Sequence, residues 1–314
     1  MKINTLEQFI PDLMQKHPVD AVSIVIIEDS EIAYRNGFGE INGETMQADT
    51  VFTAQSLTKP IVAFKALQMV ENGQLNLDTP LRDYLDASYL PDDSRVDKIT
   101  ARHCLSHATG FPNWRDEHEG LSLQFEPGTD FNYSGEGYCY LQKVMQEISG
   151  QPLEELIQPL LNDFGMTDSY LKVFDEEMRK FWLIACFPHL NTNAAFSLMS
   201  SADDFAKFML VMLDEQYKSI TDVMLSPEQG VAAKSNFHWG NGWGLEDTSQ
   251  GRYFWQWGSG MDARHLAIGN VDKQWAAVVM THGNGDSNNG LEIAHEITRQ
   301  FDSELGTWME WLRS

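Results

Sequence analysis

Residues 53–70 read TAQSLTKPIVAFKALQMV and place a serine and a lysine, Ser56 and Lys59, at the start of an otherwise apolar segment. Only two side chains between positions 61 and 70 are polar, which predicts a helix buried over most of its circumference. Because proline is tolerated only near a helix start, Pro60 places Ser56 at the N-cap or first helical position. Residues three apart share a helix face, so the Ser56 hydroxyl and the Lys59 amine should touch.

Two interpretations of this pair are open from the spacing alone. In the first, Ser56 caps the helix and Lys59 is a solvated residue of the first turn. In the second, burial lowers the pKa of Lys59, which then takes the proton of Ser56 and makes the serine a nucleophile. Other parts of the sequence have to decide between them.

The composition is typical of a soluble globular protein, with 314 residues, 42% hydrophobic and 22% charged. A net charge of −24 disfavours nucleic acid and anionic membranes as partners. No apolar run approaches the ~20 residues that span a bilayer, so membrane insertion is not expected. Residues 1–18 lack the apolar core of a signal peptide and predict an amphipathic helix, which favours a cytoplasmic location.

The cysteines and histidines give no metal or disulfide pattern. Cys104, Cys139 and Cys186 are odd in number and have no CxxC spacing, so free thiols are expected. His103 and His107 are four apart and would share one face of a helix, as metal ligands do, but no HExxH motif or third carboxylate accompanies them. The sequence therefore predicts neither a metal nor an organic cofactor.

Strand-like patterns occur near both ends of the chain. Residues 21–41 predict an antiparallel hairpin that turns near Glu28–Glu31, and strand signals return beyond Asn236. Residues 81–214 are mostly helical, and a final helix is expected from about Leu291.

This order predicts an α/β (α+β) fold in which both chain ends meet in one antiparallel sheet flanked by helices. We expect residues 1–314 to form a single unit. Its α/β lobe would comprise approximately residues 1–80 and 236–314, and its mainly helical second lobe approximately residues 81–235.

Five blocks of sequence occur in an order that resembles a known family. They are SLTK (from Ser56), ITARHCLSHATGFP (from Ile99), FEPGTDFNYSGEGYCYL (from Phe125), NAAFSLMSSADDFAKFM (from Asn193) and FWQWGSGMDARH (from Phe254). In this order they are similar to the serine β-lactamase-related proteins, which include class C β-lactamases, penicillin-binding DD-peptidases and family VIII carboxylesterases. The resemblance implies a β-lactamase/transpeptidase-like fold.

The resemblance also implies roles for three residues. Ser56 would form an acyl-enzyme, Lys59 would hold or accept the proton, and Tyr133 of the YSG block would act as base in acylation and activate the deacylating water. A tyrosine serves as a base only if a nearby cation lowers its pKa, and Lys59 is the expected cation.

Two family motifs are altered here. The second usually ends in asparagine, whose amide holds the substrate amide, and this chain has Gly135. The third usually carries a cation, and this chain offers either Gln256-Trp257-Gly258 or Trp257-Gly258-Ser259. Neither register supplies a cation, and the second is similar to the Trp-Gly-Gly of family VIII esterases.

Neighbouring positions predict further parts of the site. Backbone N–H groups beside Gly258 and at Ser56 are expected to bind the carbonyl oxygen of the substrate. Trp257 is the candidate wall of an apolar acyl or alcohol pocket, although core packing explains tryptophans in strands equally well. Arg264 or His265 could restore the missing charge.

The sequence therefore predicts a serine hydrolase that acts without cofactor on a small-molecule ester, amide or β-lactam. A carboxylesterase-like activity comes first, because ester hydrolysis needs neither the amide clamp nor the cation. A β-lactamase or D-amino-acid/DD-peptidase is the alternative, and a non-catalytic binding member of the fold is a third. The sequence leaves the oligomeric state open.

Overall fold

The computed structural model describes residues 5–116, 118–187, 190–231, 236–260, 262–283, 285, 287–306 and 309. Its α-helices are α1 (Leu6–Lys16), α2 (Thr58–Glu71), α3 (Ala101–Leu105), α4 (Gly135–Ser149), α5 (Leu153–Asp163), α6 (Trp182–Ala185), α7 (Ala202–Leu213), α8 (Lys218–Met224) and α9 (Asn289–Thr298). Its strands are β1 (Ala21–Glu28), β2 (Glu31–Ile41), β3 (Glu44–Thr45), β4 (Phe52–Thr53), β5 (Tyr170–Leu171), β6 (Leu198–Ser200), β7 (Gln229–Gly230), β8 (Phe237–Trp239), β9 (Gly244–Thr248), β10 (Gly251–Gly260), β11 (Ala263–Asn270) and β12 (Trp275–His282).

A large antiparallel sheet joins the two ends of the chain. Its strand order is β3-β2-β1-β12-β11-β10-β9-β8-β7, and β1 pairs with β12 from Ala21↔His282 to Ile27↔Ala276. The predicted hairpin, the predicted return of strands late in the chain and their meeting in one sheet are confirmed. A second sheet, β4-β6-β5, is small.

The central strands are covered on both faces, which explains why β1 and β12 are almost continuously apolar. Successive side chains of a strand point to opposite faces, and β1 shows this alternation. Val25 packs in the core that contains α2 and α7, whereas Ile24 packs in a second core with α1 and α9. The amphipathic N-terminal helix is also confirmed as α1.

The serine helix begins later than the sequence predicted. Ser56 lies in a 3₁₀ turn, Gln55–Leu57, and the α-helix starts at Thr58 without a side-chain cap. Ser56 is therefore not an N-cap, because the turn that carries it packs against β10 and takes a tighter geometry than the helix. Pro60 lies in the first turn of α2, where its missing N–H leaves no broken hydrogen bond.

The three cysteines do not form disulfides. Cys104, Cys139 and Cys186 are free thiols, as expected. Among the described residues, none of the helices combines the length and hydrophobicity that crossing a bilayer requires. The division into two lobes stays a prediction.

Candidate active site

The turn that carries Ser56 is held from both sides. Gln55 has a left-handed backbone (φ 52°), which is costly for a residue with a side chain. The Thr58 hydroxyl donates to the Gln55 carbonyl (2.6 Å) and accepts the Leu198 N–H (2.9 Å). The Ala54 N–H donates to the Leu198 carbonyl (2.7 Å), so β6 fixes the turn on both sides of the serine.

Lys59 is buried and points at Ser56. Its Nζ lies 2.9 Å from Ser56 Oγ and 3.0 Å from the Ala195 carbonyl oxygen, and the residue is 1% exposed. Burial penalises the charged ammonium and lowers the pKa of Lys59 to about 7. This geometry favours the second interpretation of the pair over a simple cap with a solvated lysine.

Tyr133 lies beside Ser56 and Lys59, but its pKa shifts in the direction opposite to the expected one. Its hydroxyl accepts a hydrogen bond from Gln256 Nε2 (3.0 Å), and Lys59 Nζ lies 4.8 Å from its ring centroid. Burial raises the pKa of Tyr133, and hydrogen bonds from Ser56 and Gln256 oppose that rise only in part. The expectation that Lys59 lowers the pKa of Tyr133 is wrong, because the same burial removes the charge of the lysine at a lower pH.

His107 is a neighbour of Tyr133 that sequence reasoning missed as part of the site. Its Nδ1 accepts the Ser134 N–H (3.0 Å), and its ring centroid lies 4.2 Å from that of Tyr133. Helix α3 ends at Leu105 and His107 has φ 58°, so His103 and His107 do not share a helix face. Among the described residues, no three potential ligand side chains come together as a metal site.

One hydrogen bond favours one register of the third motif. Gln256 is fully buried, and its side-chain amide donates to the Tyr133 hydroxyl (3.0 Å). This contact favours the register Gln256-Trp257-Gly258 over Trp257-Gly258-Ser259, and the register stays a prediction. The sequence left both open because a one-residue shift exchanges the faces of a strand.

Trp257 lies in the core and not in the cavity beside Ser56. The residue is 7% exposed, and its ring centroid lies 4.7 Å from that of Tyr133 and 5.6 Å from that of Trp255. These contacts favour the core-packing alternative for Trp257, and a role in an acyl or alcohol pocket stays a prediction. Ser259 and Gly260 do reach the cavity.

The cavity that contains Ser56 and Lys59 has a volume of ≈ 570 Å³. Seven of its lining residues are apolar, six from the segment between α5 and α7 and one tryptophan before α4. These are Trp114, Phe174, Met178, Phe181, Ile184, Phe196 and Met199. No motif in the sequence pointed to them, because apolar residues of a loop look the same whether they line a cavity or fill a core.

Gly135 stands where the family usually has asparagine, and an aromatic ring occupies the space of that side chain. A Cβ placed on Gly135 would lie 2.3 Å from Cη2 of Trp114. The neighbouring Arg115 forms an ion pair with the fully buried Glu136, which fixes the chain on both sides of this contact. The Trp114 ring therefore presents an apolar surface at the position where the family usually has the side-chain amide of asparagine.

The two residues suggested as replacement cations do not serve the cavity. Arg264 donates to the backbone carbonyls of Ala263 (2.8 Å) and Gly285 (3.3 Å). His265 is fully buried against the Thr53 carbonyl (3.0 Å), and burial lowers its pKa to about 4. Neither of them lines the cavity.

Comparison with known proteins places this arrangement in a family. The sequence profile of the Beta-lactamase family matches residues 6–299. The chain belongs to the Beta-lactamase family. The resemblance to this family that the ordered motif blocks predicted is thereby confirmed over almost the whole length of the chain.

Curated relatives in this family carry different names. Esterase EstB of Burkholderia gladioli is 30% identical over 190 residues, which are 50% of this chain and 48% of that protein. Penicillin-binding protein 4* of Bacillus subtilis (strain 168) is 26% identical over 178 residues, 49% of this chain and 38% of that protein. The chain spans half or less of the length of these two relatives.

The fold is shared with solved structures of the family. The octameric penicillin-binding protein homologue from Pyrococcus abyssi superposes with a TM-score of 0.79 at 23% identity, over 96% of this chain and 77% of that chain. The predicted β-lactamase/transpeptidase-like fold is confirmed.

Proposed function

We propose that this member of the Beta-lactamase family is a serine hydrolase that cleaves esters through an acyl-enzyme on Ser56. The observation that carries the proposal is the buried Lys59, whose Nζ lies 2.9 Å from Ser56 Oγ and whose pKa is lowered to about 7. Near neutral pH a large fraction of Lys59 is neutral and can accept a proton.

The proton moves along a short path in this mechanism. Neutral Lys59 takes the proton of Ser56 while Oγ attacks the substrate carbonyl carbon, and the proton then passes to the leaving alcohol. Tyr133 is a neutral phenol in the free enzyme, so it relays this proton and orients the serine. In deacylation Lys59 takes a proton from water while the water oxygen attacks the acyl carbon, and the proton then passes to Ser56 Oγ as the acyl–oxygen bond breaks and the acid leaves.

Backbone N–H groups supply the electrostatic stabilisation of the tetrahedral intermediate. Ser56 lies in a 3₁₀ turn at the start of α2, and Ser259 lies across the same cavity at the end of β10. Their N–H groups, one on each side of the attacked carbonyl, form the proposed oxyanion hole.

Esters rank ahead of β-lactams and peptides because two polar contacts are missing. Gln256 is neutral where a cation would bind a carboxylate, and Trp114 fills the space of an amide side chain at position 135. A site without these groups loses its preference for substrates that need them. A non-catalytic binding role is disfavoured, because a lysine with a lowered pKa beside a serine is costly unless it is used.

The first test is covalent labelling of Ser56. The protein should gain the mass of one fluorophosphonate adduct, mapped to Ser56, and Ser56→Ala should lose the label and at least ~10³-fold of ester turnover. Ser259→Ala, which removes another hydroxyl of the same cavity, should still be labelled at Ser56. Near-normal turnover in Ser56→Ala would overturn the assignment.

The second test is the choice of substrate. We expect kcat/KM for p-nitrophenyl acetate and butyrate to exceed that for penicillins and cephalosporins. Gln256→Lys should move the ratio toward β-lactams by roughly ten- to a hundredfold, the value of one charge-assisted contact. Gly135→Asn should add to this only together with Trp114→Ala, because the tryptophan ring blocks the new side chain.

Equal or faster hydrolysis of β-lactams by the unmodified protein would contradict this order of substrates. It would make β-lactamase or DD-peptidase activity the main function while leaving Ser56 as the nucleophile.

A further inference from the structure

Lys172 is a cation in the wall of the cavity that contains Ser56. It directly follows β5 and is partly buried. The lining residues that follow it in the chain, from Phe174 to Phe196, are aromatic or aliphatic. Lys172 was not among the residues that the motifs indicated, because it belongs to no motif block.

The ammonium of Lys172 differs from those of most other lysines in its contacts with the described residues. Across the part of the chain that the structure describes, it forms no ion pair and no side-chain hydrogen bond. Most other described lysines contact a carboxylate or an amide oxygen, as Lys98 contacts Glu126 and Lys273 contacts Gln250.

The backbone ties Lys172 to the catalytic groups. Its N–H donates to the Ser197 carbonyl (2.9 Å), and the Ala195 carbonyl of the same short segment accepts from Lys59 Nζ (3.0 Å). The segment continues into β6, which pairs with β5. The position of Lys172 relative to Ser56 is therefore fixed by paired strands and not by a free loop.

We propose that Lys172 binds a carboxylate of the substrate and makes this enzyme selective for esters that carry an acid group next to an apolar portion. This inference rests on the proposed function, since the bound molecule is a substrate of Ser56. One ammonium in an apolar wall suits a single negative charge, because such a contact is stronger where water is partly excluded. Lys172 follows β5 whereas Gln256 lies in β10, so the carboxylate that Lys172 binds is placed differently from one held by a cation at position 256, and esters still rank ahead of β-lactams.

The experiment compares matched charged and neutral esters. One pair is the mono-p-nitrophenyl ester of adipic acid and its primary amide, and the other is para-acetoxybenzoate and para-acetoxybenzamide. The pairs place the carboxylate in the acyl part and in the leaving group, respectively. The ratio of kcat/KM for the charged over the neutral ester is measured for each pair.

We expect Lys172→Met to lower this ratio by about tenfold in at least one pair, the scale of one charge-assisted contact at a partly exposed site. Lys172→Arg should keep most of the ratio. Lys180→Met is the matched control, because Lys180 is a nearby exposed lysine whose loss changes the net charge equally. A thermal melt of each variant checks that it is folded.

The outcomes separate the two proposals. If the protein hydrolyses the neutral esters and Lys172→Met changes neither ratio by more than the control, the carboxylate site is wrong and the hydrolase stands. If no ester is turned over and Ser56 takes up no label, both proposals are overturned.

Discussion

At the scale of single residues, the chemistry depends on how burial divides protons between Lys59 and Tyr133. The same low-dielectric surroundings lower the pKa of the lysine to about 7 and raise that of the tyrosine, so near pH 7 a large fraction of Lys59 is a neutral amine and Tyr133 is a neutral phenol. A neutral amine beside Ser56 Oγ can accept a proton, whereas a neutral phenol can donate one.

The pH dependence of activity tests this division. We expect kcat/KM for a neutral ester to rise with pH through an inflection near 7, because Lys59 must lose its proton before it can accept that of Ser56. Tyr133→Phe should cost ~10²–10⁴-fold but keep the inflection, and Lys59→Ala should remove it. The double variant should lose far less than the product of both. An inflection that disappears in Tyr133→Phe would make the tyrosine the base.

The stability of the protein should report the same lysine independently of turnover. Unfolded Lys59 holds its proton up to about 10.5, whereas the folded residue loses it near 7, so the unfolded state binds more protons between these values. The contribution of Lys59 to the free energy of unfolding therefore rises with pH in that window and is constant well below 7. Urea unfolding of the wild type and Lys59→Met at pH 7, 8 and 9 should diverge by up to about 1.4 kcal/mol per pH unit. Parallel curves would show that the lysine stays charged.

At the scale of elements, the site depends on how closely β10 approaches the turn that carries Ser56. A Cβ on Gly258 would lie 2.6 Å from the Ala54 carbonyl oxygen, and one on Gly260 would lie 2.6 Å from Gln55 Oε1. The sheet thus sets the position of Ser56 through glycines, because the absent side chain at Gly258 lets two backbones pack at contact distance. The sequence predicted a backbone N–H beside Gly258 for the substrate, and the structure shows that the turn carrying Ser56 packs against this glycine.

Gly258→Ala tests this packing. The added methyl should push the Ala54 carbonyl and with it Ser56, which we expect to lower kcat by at least ~10-fold and stability by about 1–3 kcal/mol. Gly230→Ala on β7 is the control, because nothing lies within 4 Å of its added Cβ. Unchanged kcat in Gly258→Ala would mean that the turn does not depend on β10 for its position.

At the scale of the whole molecule, the fold has to tolerate a net charge of −24. Many of the described ion pairs are exposed, such as Lys98 with Glu126, and contribute little to stability. The remaining acidic groups repel one another in the compact state.

Salt should therefore stabilise this protein. Raising sodium chloride from roughly 20 to 500 mM shortens the Debye length from about 20 Å to a few ångströms, which screens the repulsion between exposed carboxylates. We expect the Tm to increase by several degrees, measured by calorimetry at constant pH. A Tm that falls with salt would show that attractive surface pairs outweigh the repulsion.

The sequence by itself determined the family, the strands at both chain ends and the candidates Ser56, Lys59 and Tyr133. These features are local, since they depend on spacing along one helix, on alternation along a strand or on short blocks of residues. Such patterns can be recognised without knowing which residues pack against them.

Only the tertiary structure decided the burial of Lys59, the hydrogen bond from Gln256 to Tyr133, the position of Trp114 on Gly135 and the presence of Lys172 in the cavity. Each depends on contacts between residues far apart in the chain. A pKa depends on burial, a one-residue shift turns a strand side chain to the other face, and a single lysine outside the motif blocks follows no periodic pattern.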